Sequence, residues 1–329
     1  MKTTKIAFVS CAYATRRPTQ PAWQEILDKV PDLDLLLMLG DTSYMNWGDL
    51  SEDFDKLNRE VWDFKSLNEC YESQFDVKPF RELIAKVPTL AIWDDHDCGI
   101  NDVCGALFPG QVKKSRALFD HWMKFAVNAG RPEMYCVYDE LPDVRILMLD
   151  GRSERTSSAA ANPTVLGSSQ ENWLWKQLDP AQSVQRPITI LANGVGVSEG
   201  SKFDKVEAYT DFWDKLHREL SFRAKPSSVP GDCGRRTLLL AGDIHRNQFK
   251  SFKDERIYEA YSSGVACFIG KTYETQQFTP ARHTDNWGLI TIDAKKVRID
   301  FHGRPDLQGA QSLNNFTRVI RRSDWLVVP

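Results

Sequence analysis

The sequence predicts an α/β protein in which a β-sheet sandwich is flanked by helices and carries its functional site on one edge. Three observations predict it. Five short apolar runs are bounded by Gly, Asp, Asn or Ser, as buried strands are. Stretches of helical period separate several of them. Each run also ends in a residue able to hold a metal ion, and donors leaving the carboxyl ends of neighbouring strands converge on one crevice.

The elements follow in chain order. Ile6–Val9 is the first strand and runs into Ser10-Cys11. In 21–30, Trp23, Ile26, Leu27 and Val30 recur at helical spacing behind Pro21, which is suited to a first turn. Leu35–Leu39 then completes a βαβ unit and leads into Gly40-Asp41-Thr42-Ser43-Tyr44. Residues 49–86 are helical in character: Leu50, Phe54, Leu57, Val61 and Phe64 lie near a 3.6-residue period, and Phe80, Leu83 and Ile84 precede Pro88. Leu90–Trp93 is a strand running into Asp94-Asp95-His96-Asp97. Further strands are expected at Arg145–Leu149, Ile188–Ala192 (ending at Asn193), Leu238–Ala241 (ending at Gly242-Asp243-Ile244-His245), Ile257–Ser262, Leu289–Asp293 and Val297–Phe301. Gln170–Leu178 and Tyr209–Leu220 read as helices. Only Ala294-Lys295-Lys296 separates the last two strands, which predicts a hairpin. Loops at 152–166 and 222–234 are rich in Ser, Ala, Pro and Gly and read as surface excursions. The strand pattern resumes beyond both, so the expectation is one domain over 1–329 with a helical insertion at about 45–86.

Composition narrows the function classes. A net charge of −3 gives no basic footprint for nucleic acid, so no stable nucleic-acid complex is expected. Seven cysteines without regular spacing do not form the disulfide framework of a small secreted domain and fit a reducing compartment. Lys2 and Lys5 before Ile6–Val9, with Ala12-Tyr13-Ala14 behind, imitate a signal peptide. The apolar stretch is too short for one, and cleavage there would remove the first strand and Cys11. No run approaches a membrane span. The expectation is a soluble, cytoplasmic protein without a membrane partner.

Taken singly, each candidate donor has an ordinary structural explanation. An Asp after Gly caps turns, and a strand-end Cys behaves as a small hydrophobe. Together they require several coincidences in one crevice. Three carboxylates around one imidazole in Asp94-Asp95-His96-Asp97 repel one another unless a cation or strong donors compensate. Thiolate, phenolate, imidazole and carboxylate suit a redox-type ion such as ferric iron, whereas an oxygen set with Asp and Asn suits calcium or magnesium. Two different ions sharing Asp41 follow from that mixture.

The order Ser10-Cys11, Gly40-Asp41-x-x-Tyr44, Trp93-Asp94-Asp95-His96-Asp97, Asp150-Gly151-Arg152, Leu166-Gly167-x-x-Gln170-x-x-Trp173-Leu174, Gly242-Asp243-x-His245 and Asn286-Trp287-Gly288-Leu289 resembles the alkaline phosphatase D (PhoD-like) branch of the calcineurin-like metallophosphoesterases. The resemblance runs from about residue 5 to 300. It implies a four-layer αββα fold of two mixed sheets and metal-dependent hydrolysis of small-molecule phosphate esters. Cys11, Asp41, Tyr44 and His245 would hold Fe(III), and Asp41 would bridge to Ca(II) held also by Asp95, Asp243 and Asn193, with other divalent ions possible. His96 would protonate the leaving group or stabilise phosphate charge, and Arg152 would anchor a nonbridging oxygen by its fork geometry. Two departures matter. Ser10-Cys11 stands where many metallophosphoesterases have Asp-x-His, which disfavours zinc or manganese pairs, and Asn193 replaces a histidine, which favours calcium. Arg16-Arg17 follows the first strand and is not a twin-arginine signal.

Monoester and diester hydrolysis both stay open. Trp47, Trp62, Trp93 and Trp122 are candidates for the pocket wall. Of the remaining histidines, His121, His217 and His302 read as structural or surface residues, and His283 as a rim candidate. The competing readings are a metal-stabilised regulatory or binding protein with an inherited, idle site, and a hydrolase using Cys11 as nucleophile, for which no partner histidine is evident. Oligomeric state is not encoded in these features.

Overall fold

The computed structural model describes residues 3–15, 17–44, 62–179, 187–199, 204–224, 236–252, 256–267, 285–303 and 315–328. Among them, two mixed sheets pack face to face. The first holds β1 (Thr4–Val9), β2 (Leu35–Leu39) and β3 (Thr89–Ile92) in parallel, extended from β1 by antiparallel β10 (Asn286–Ile292), β11 (Lys296–Gly303), β12 (Phe316–Arg321) and β13 (Leu326–Val328). The second has the order β4 (Cys136–Tyr138), β5 (Val144–Met148), β6 (Ile188–Ala192), β7 (Arg236–Ala241), β9 (Ile257–Ser262) and β8 (Asn247–Phe252), with β5, β6, β7 and β9 parallel.

Residue parity separates the layers. Ile146, Ile190, Leu238 and Ala260 of the second sheet join one core with Ile6, Phe8, Leu37 and Ile290 of the first. The alternate residues Leu147, Leu191 and Leu239 point outward and pack under α6 (Gly167–Leu178) and α7 (Thr210–Ala224) through Leu174, Leu178, Phe212, Leu216 and Leu220. On the far side of the first sheet lie α1 (Pro21–Lys29) and α3 (Lys78–Lys86), which bury Trp23, Ile26, Phe80 and Leu83. The result is helices, sheet, sheet, helices, as the resemblance implies.

Most predicted strands agree with the structure to within three residues at either end, and β10 and β11 form the expected hairpin. Within the expected helical insertion, α2 (Phe64–Asp76) and α3 are present, while Leu50, Phe54, Leu57 and Val61 lie outside the described residues. Four strands and two helices had not been anticipated: β4, β8, β12, β13, the short α4 (Asp95–Cys98) and α5 (Pro109–Trp122). No helix among the described residues is long and apolar enough to cross a membrane.

The C-terminal hairpin ties the two sheets together. Trp325, between β12 and β13 of the first sheet, is fully buried beside Tyr258 of the second, whose hydroxyl donates to the Trp325 carbonyl at 3.0 Å. Arg236 reaches across to the Ser323 carbonyl at 2.8 Å. Replacing Trp325 by Ala removes a fully buried indole at this junction, and denaturant unfolding should show a loss of about 3–5 kcal/mol. Val327→Ala in the same hairpin, at an exposed position, should change stability by less than about 0.5 kcal/mol.

Candidate metal centre

The parallel strands β1, β2, β3, β5, β6, β7 and β9 place their carboxyl ends along one edge of the sandwich, and a donor leaves most of them. Cys11, Asp41 and His245 offer ligand atoms within 4.8 Å of one another, as do Asp41, Asp95 and His96, and Asp41, Asp94, Asp95 and Asp243. Asp41 belongs to all three groups. The Cys11 sulfur lies 3.6 Å and the Tyr44 hydroxyl 3.4 Å from Asp41 Oδ2. Tyr44 is fully buried, with its ring between those of Tyr13 and His96. Asp243 and His245 are only partly buried and form the open side of the cluster.

The backbone is bent to bring these groups together. Cys11, Asp41, Asp243 and His245 all adopt left-handed conformations, with φ of 61°, 54°, 70° and 55°. Such conformations cost a non-glycine residue free energy and persist only where the surroundings enforce them. Here the enforcement is visible: the Cys11 N–H donates to the Gly40 carbonyl, the Ala12 N–H to the Asp41 carbonyl at 2.8 Å and the His245 N–H to Ser263 Oγ. Gly40 itself has a φ of 87°, and a Cβ there would meet Asp94 Cβ at 2.4 Å. Gly194 is packed as tightly against the Asp94 carboxylate.

The Asp94–Asp97 segment divides its acidic residues among three tasks. Asp95 faces the donor cluster; its Oδ1 accepts the His96 N–H at 3.0 Å, and the same N–H is 3.2 Å from Asp41 Oδ1. Asp97 turns the other way, accepting the Ser43 N–H at 3.0 Å and the Tyr71 hydroxyl at 2.8 Å, and so holds the loop that carries Asp41 and Tyr44. Asp94 pairs with Arg152 and also contributes an oxygen to the carboxylate cluster.

Arg152 differs from its expected place. Its guanidinium is fully buried, with Nε on Asp94 and Nη1 and Nη2 on Asp204 at 2.7 and 3.0 Å, rather than presented to an open site. In this arrangement the guanidinium bridges the Asp94 and Asp204 carboxylates. Asp204 did not stand among the expected site residues, and Asp94 was singled out only as part of the acidic 94–97 segment, not as a ligand. Asp204 lies 52 residues from Arg152 in a loop without a strand-end signal, whereas Asp94 is adjacent to Asp95 and could have been included.

Asn193 and Asp94 supply a test of whether metal fits. Asn193 Oδ1 and Asp94 Oδ2 are buried without a hydrogen-bond partner, while Asn193 Nδ2 donates to the Val195 carbonyl at 3.1 Å. Buried oxygens left in that state cost free energy that a cation would offset. The carboxyls behave accordingly. Burial pushes Asp41 well up, and Asp95, Cys11 and Asp94 push it further; burial, then Asp94 and Asp95, raise Asp243. Burial lifts Asp94 to about 7 against the pull of Arg152. At Asp95 burial acts upward too, but His96, Arg152 and the Asp102 N–H outweigh it and hold the group at about 2. Burial lowers His96 to about 4, opposed by Asp95. The donors fit a metal centre.

Of the expected wall residues, Trp93 is buried and donates to Asp150 Oδ1 at 2.8 Å, beside a cleft of about 510 Å³ that also touches Ser153 and Gln170. Trp122 packs on Tyr71 and Phe75, and Trp62 on Phe64 and Phe108, so both are placed as packing residues among helices. Trp47, His283 and most of the 222–234 loop lie outside the described residues.

Residues 6–311 match the family model described as PhoD-like phosphatase. No curated protein matches the chain. Among solved structures, the structure of PhoD aligns over 100% of this chain and 71% of its own at 16% identity, with a TM-score of 0.68. GAP50, the anchor in the inner membrane complex of Plasmodium, aligns over 96% of this chain and 88% of its own at 8% identity, with a TM-score of 0.53. At these identities both likenesses concern the fold.

A carboxyl whose folded pKa lies above its unfolded value keeps its proton in the native state while the unfolded chain releases it, so stability falls as pH rises through that interval. For Asp94 the interval runs from 3.8 to about 7, and Asp41 and Asp243 act in the same direction. Chelator-treated protein should therefore lose thermal stability from about pH 4 to about pH 7, and metal-loaded protein should not. The metal-induced rise in Tm should grow with pH across that window. A rise that stays constant with pH would show that these carboxyls do not hold the ion.

Proposed function

The chain belongs to the PhoD-like phosphatase family, and from that premise we propose that it hydrolyses small-molecule phosphate esters at a two-metal centre on the strand-end edge. The observation that carries the reading is Asp41, whose carboxylate is shared by a sulfur-, phenolate- and imidazole-bearing group of donors and by an all-oxygen group. The fold alone would not carry it, since the same architecture serves a protein described as an anchor. An idle site has no need to hold four donors in left-handed backbone around buried, partnerless oxygens.

In this reading Cys11, Asp41, Tyr44 and His245 hold Fe(III), and Asp41, Asp95, Asp243 and Asn193 hold Ca(II) or another hard divalent ion. Asp94 joins the oxygen set. The softer donors select a transition ion and the oxygens a hard one. When bound, such a pair supplies Lewis acidity toward phosphoryl oxygens and a water of lowered pKa. The chain's own residues do the rest. His96, which burial keeps neutral near pH 7, serves as an N–H donor to phosphate or to the departing oxygen, and its ring is set by Tyr44. Arg152 positions Asp94 and favours its ionised form against the effect of burial. Direct hydrolysis without a phosphoenzyme is expected, because Cys11 is committed to the donor cluster rather than aimed at a substrate.

The test is turnover of phosphomonoesters, diesters and phosphonates by metal-loaded protein and by two variants. Asp41→Ala should lose metal and activity together. His96→Ala should keep its metal and fold but lose on the order of 10²–10⁴ in kcat. Full activity in both variants would refute the assignment, and a fully loaded protein inert toward the whole panel would favour the binding-protein reading.

A further inference from the structure

Two hydroxyls that the reading above does not use reach the Cys11 sulfur. Ser10 Oγ lies 3.2 Å and Ser263 Oγ 3.5 Å from Cys11 Sγ, and all three residues are buried. A thiolate carries no proton, so with Cys11 bound to an ion both contacts can only be hydrogen bonds donated by a hydroxyl to sulfur. The Ser263 oxygen already accepts the His245 N–H, which leaves its one proton for the sulfur.

The fold delivers these hydroxyls from opposite sheets. Ser10 follows β1, and Gly242, at the end of β7, makes room for it: a Cβ at 242 would meet Ser10 Oγ at 2.5 Å. Ser263 follows β9, and its segment is laced to the first sheet. The N–H groups of Gly264 and Val265 both donate to the Ser10 carbonyl at 3.0 Å. Asn286, fully buried at the start of β10, donates through Nδ2 to the Ser263 carbonyl and through its N–H to the Gly264 carbonyl, each at 3.1 Å. This gives the first residue of the Asn286-Trp287-Gly288-Leu289 motif a task at the centre. Ser263 thus touches two members of one donor group, the sulfur of Cys11 and the backbone of His245, while Asn286 holds it from the neighbouring sheet.

We propose that Ser10 and Ser263 are the hydrogen-bond donors that tune a metal-bound Cys11 thiolate, and that Ser263 also sets His245 beside it. The proposal rests on the two-metal reading above. Hydrogen bonds to a ligating sulfur withdraw charge from it, weaken its donation to the ion and shift the ion's reduction potential. Two such bonds on one thiolate favour the reduced ion relative to the ferric one. Both serines act through Cys11 and His245, so they are positioning residues.

Visible absorption and resonance Raman spectra of ferric-loaded protein read the thiolate without reference to turnover. Wild-type protein, Ser10→Ala, Ser263→Ala and Ser10→Thr are loaded, and the iron per chain is measured. In either Ala variant the sulfur-to-iron charge-transfer band should move to longer wavelength, the iron–sulfur stretch should rise in frequency and the reduction potential should fall, while the Tyr44 phenolate modes stay in place. Ser10→Thr keeps a hydroxyl and should keep the wild-type band. Ser263→Ala also releases the His245 N–H, and should weaken iron retention against a chelator by roughly 10-fold. Each Ala substitution removes a single oxygen, and either variant decides the point should the other fail to fold. An unmoved sulfur band in an iron-loaded Ala variant overturns the proposal and leaves the two-metal reading standing. A wild type that binds no iron, or binds it without a sulfur band, overturns the Cys11 ligation which that reading requires, and the proposal falls with it.

Discussion

Like charge gathered away from water is the constraint on which the site depends. Asp41, Asp94, Asp95 and Asp97 are buried on adjacent strand ends, and Asp243 closes the group from the second sheet. In a low-dielectric interior carboxylates at such separations cannot all remain ionised without a counter-charge. The protein answers in three ways. Asp97 is dissolved in hydrogen bonds from Ser43 and Tyr71, Asp94 is matched to Arg152, and Asp41 and Asp243 are left with raised pKa values that protons relieve in the absence of metal. An ion would relieve that last pair and also the Asp94 oxygen that Arg152 leaves without a partner. The same arithmetic explains the burial of Arg152: an arginine satisfied by Asp94 and Asp204 brings compensating charge to the cluster without entering the substrate's space.

A fold that must deliver single donors to one point from two sheets gains from ending its strands sharply. Parallel strands do this, because each can stop in a turn while its helix returns outside the sandwich. The turns here are tighter than ordinary ones. Gly40 lets the β2 loop pass Asp94 at a distance no Cβ permits, and the residue after it takes a left-handed conformation that aims its carboxylate inward. The buried sheets, held at their far edge by Trp325 against Tyr258, supply the packing free energy against which such local strain is small.

Where a residue signalled itself locally, the sequence was readable. Apolar runs such as Leu35–Leu39 and Leu238–Ala241 are buried at every position, and Gly-Asp at their ends announces a turn. The missed strands lack that contrast: β12 buries only Ile320, and β8 only Asn247. Helix α5 carries Pro109 at its start and buries only Val112, Ser115 and Phe119, too few apolar positions to stand out. At the site, Cys11, Asp41, Tyr44 and His245 follow strands and could be proposed in advance. Asp204 could not, because its partner Arg152 lies 52 residues away and only the tertiary fold joins them. Arg152 was visible as a residue and its carboxylate partners were not, since its fork suits phosphate and carboxylate equally well.

The division of donors between the sheets bears on how one scaffold can hold two unlike ions. In the two-metal reading proposed above, Cys11, Tyr44, Asp95 and Asp41 come from the first sheet, and Asn193, Asp243 and His245 from the second. Each sheet therefore contributes to both sets, and neither ion could be held by one sheet alone. Sliding one sheet against the other would separate Cys11 from His245 and Asp95 from Asp243 at once. On that reading metal retention would be coupled to the sheet interface, so that packing far from the strand ends, down to the Trp325 contact at the opposite edge, would contribute to the geometry of the centre.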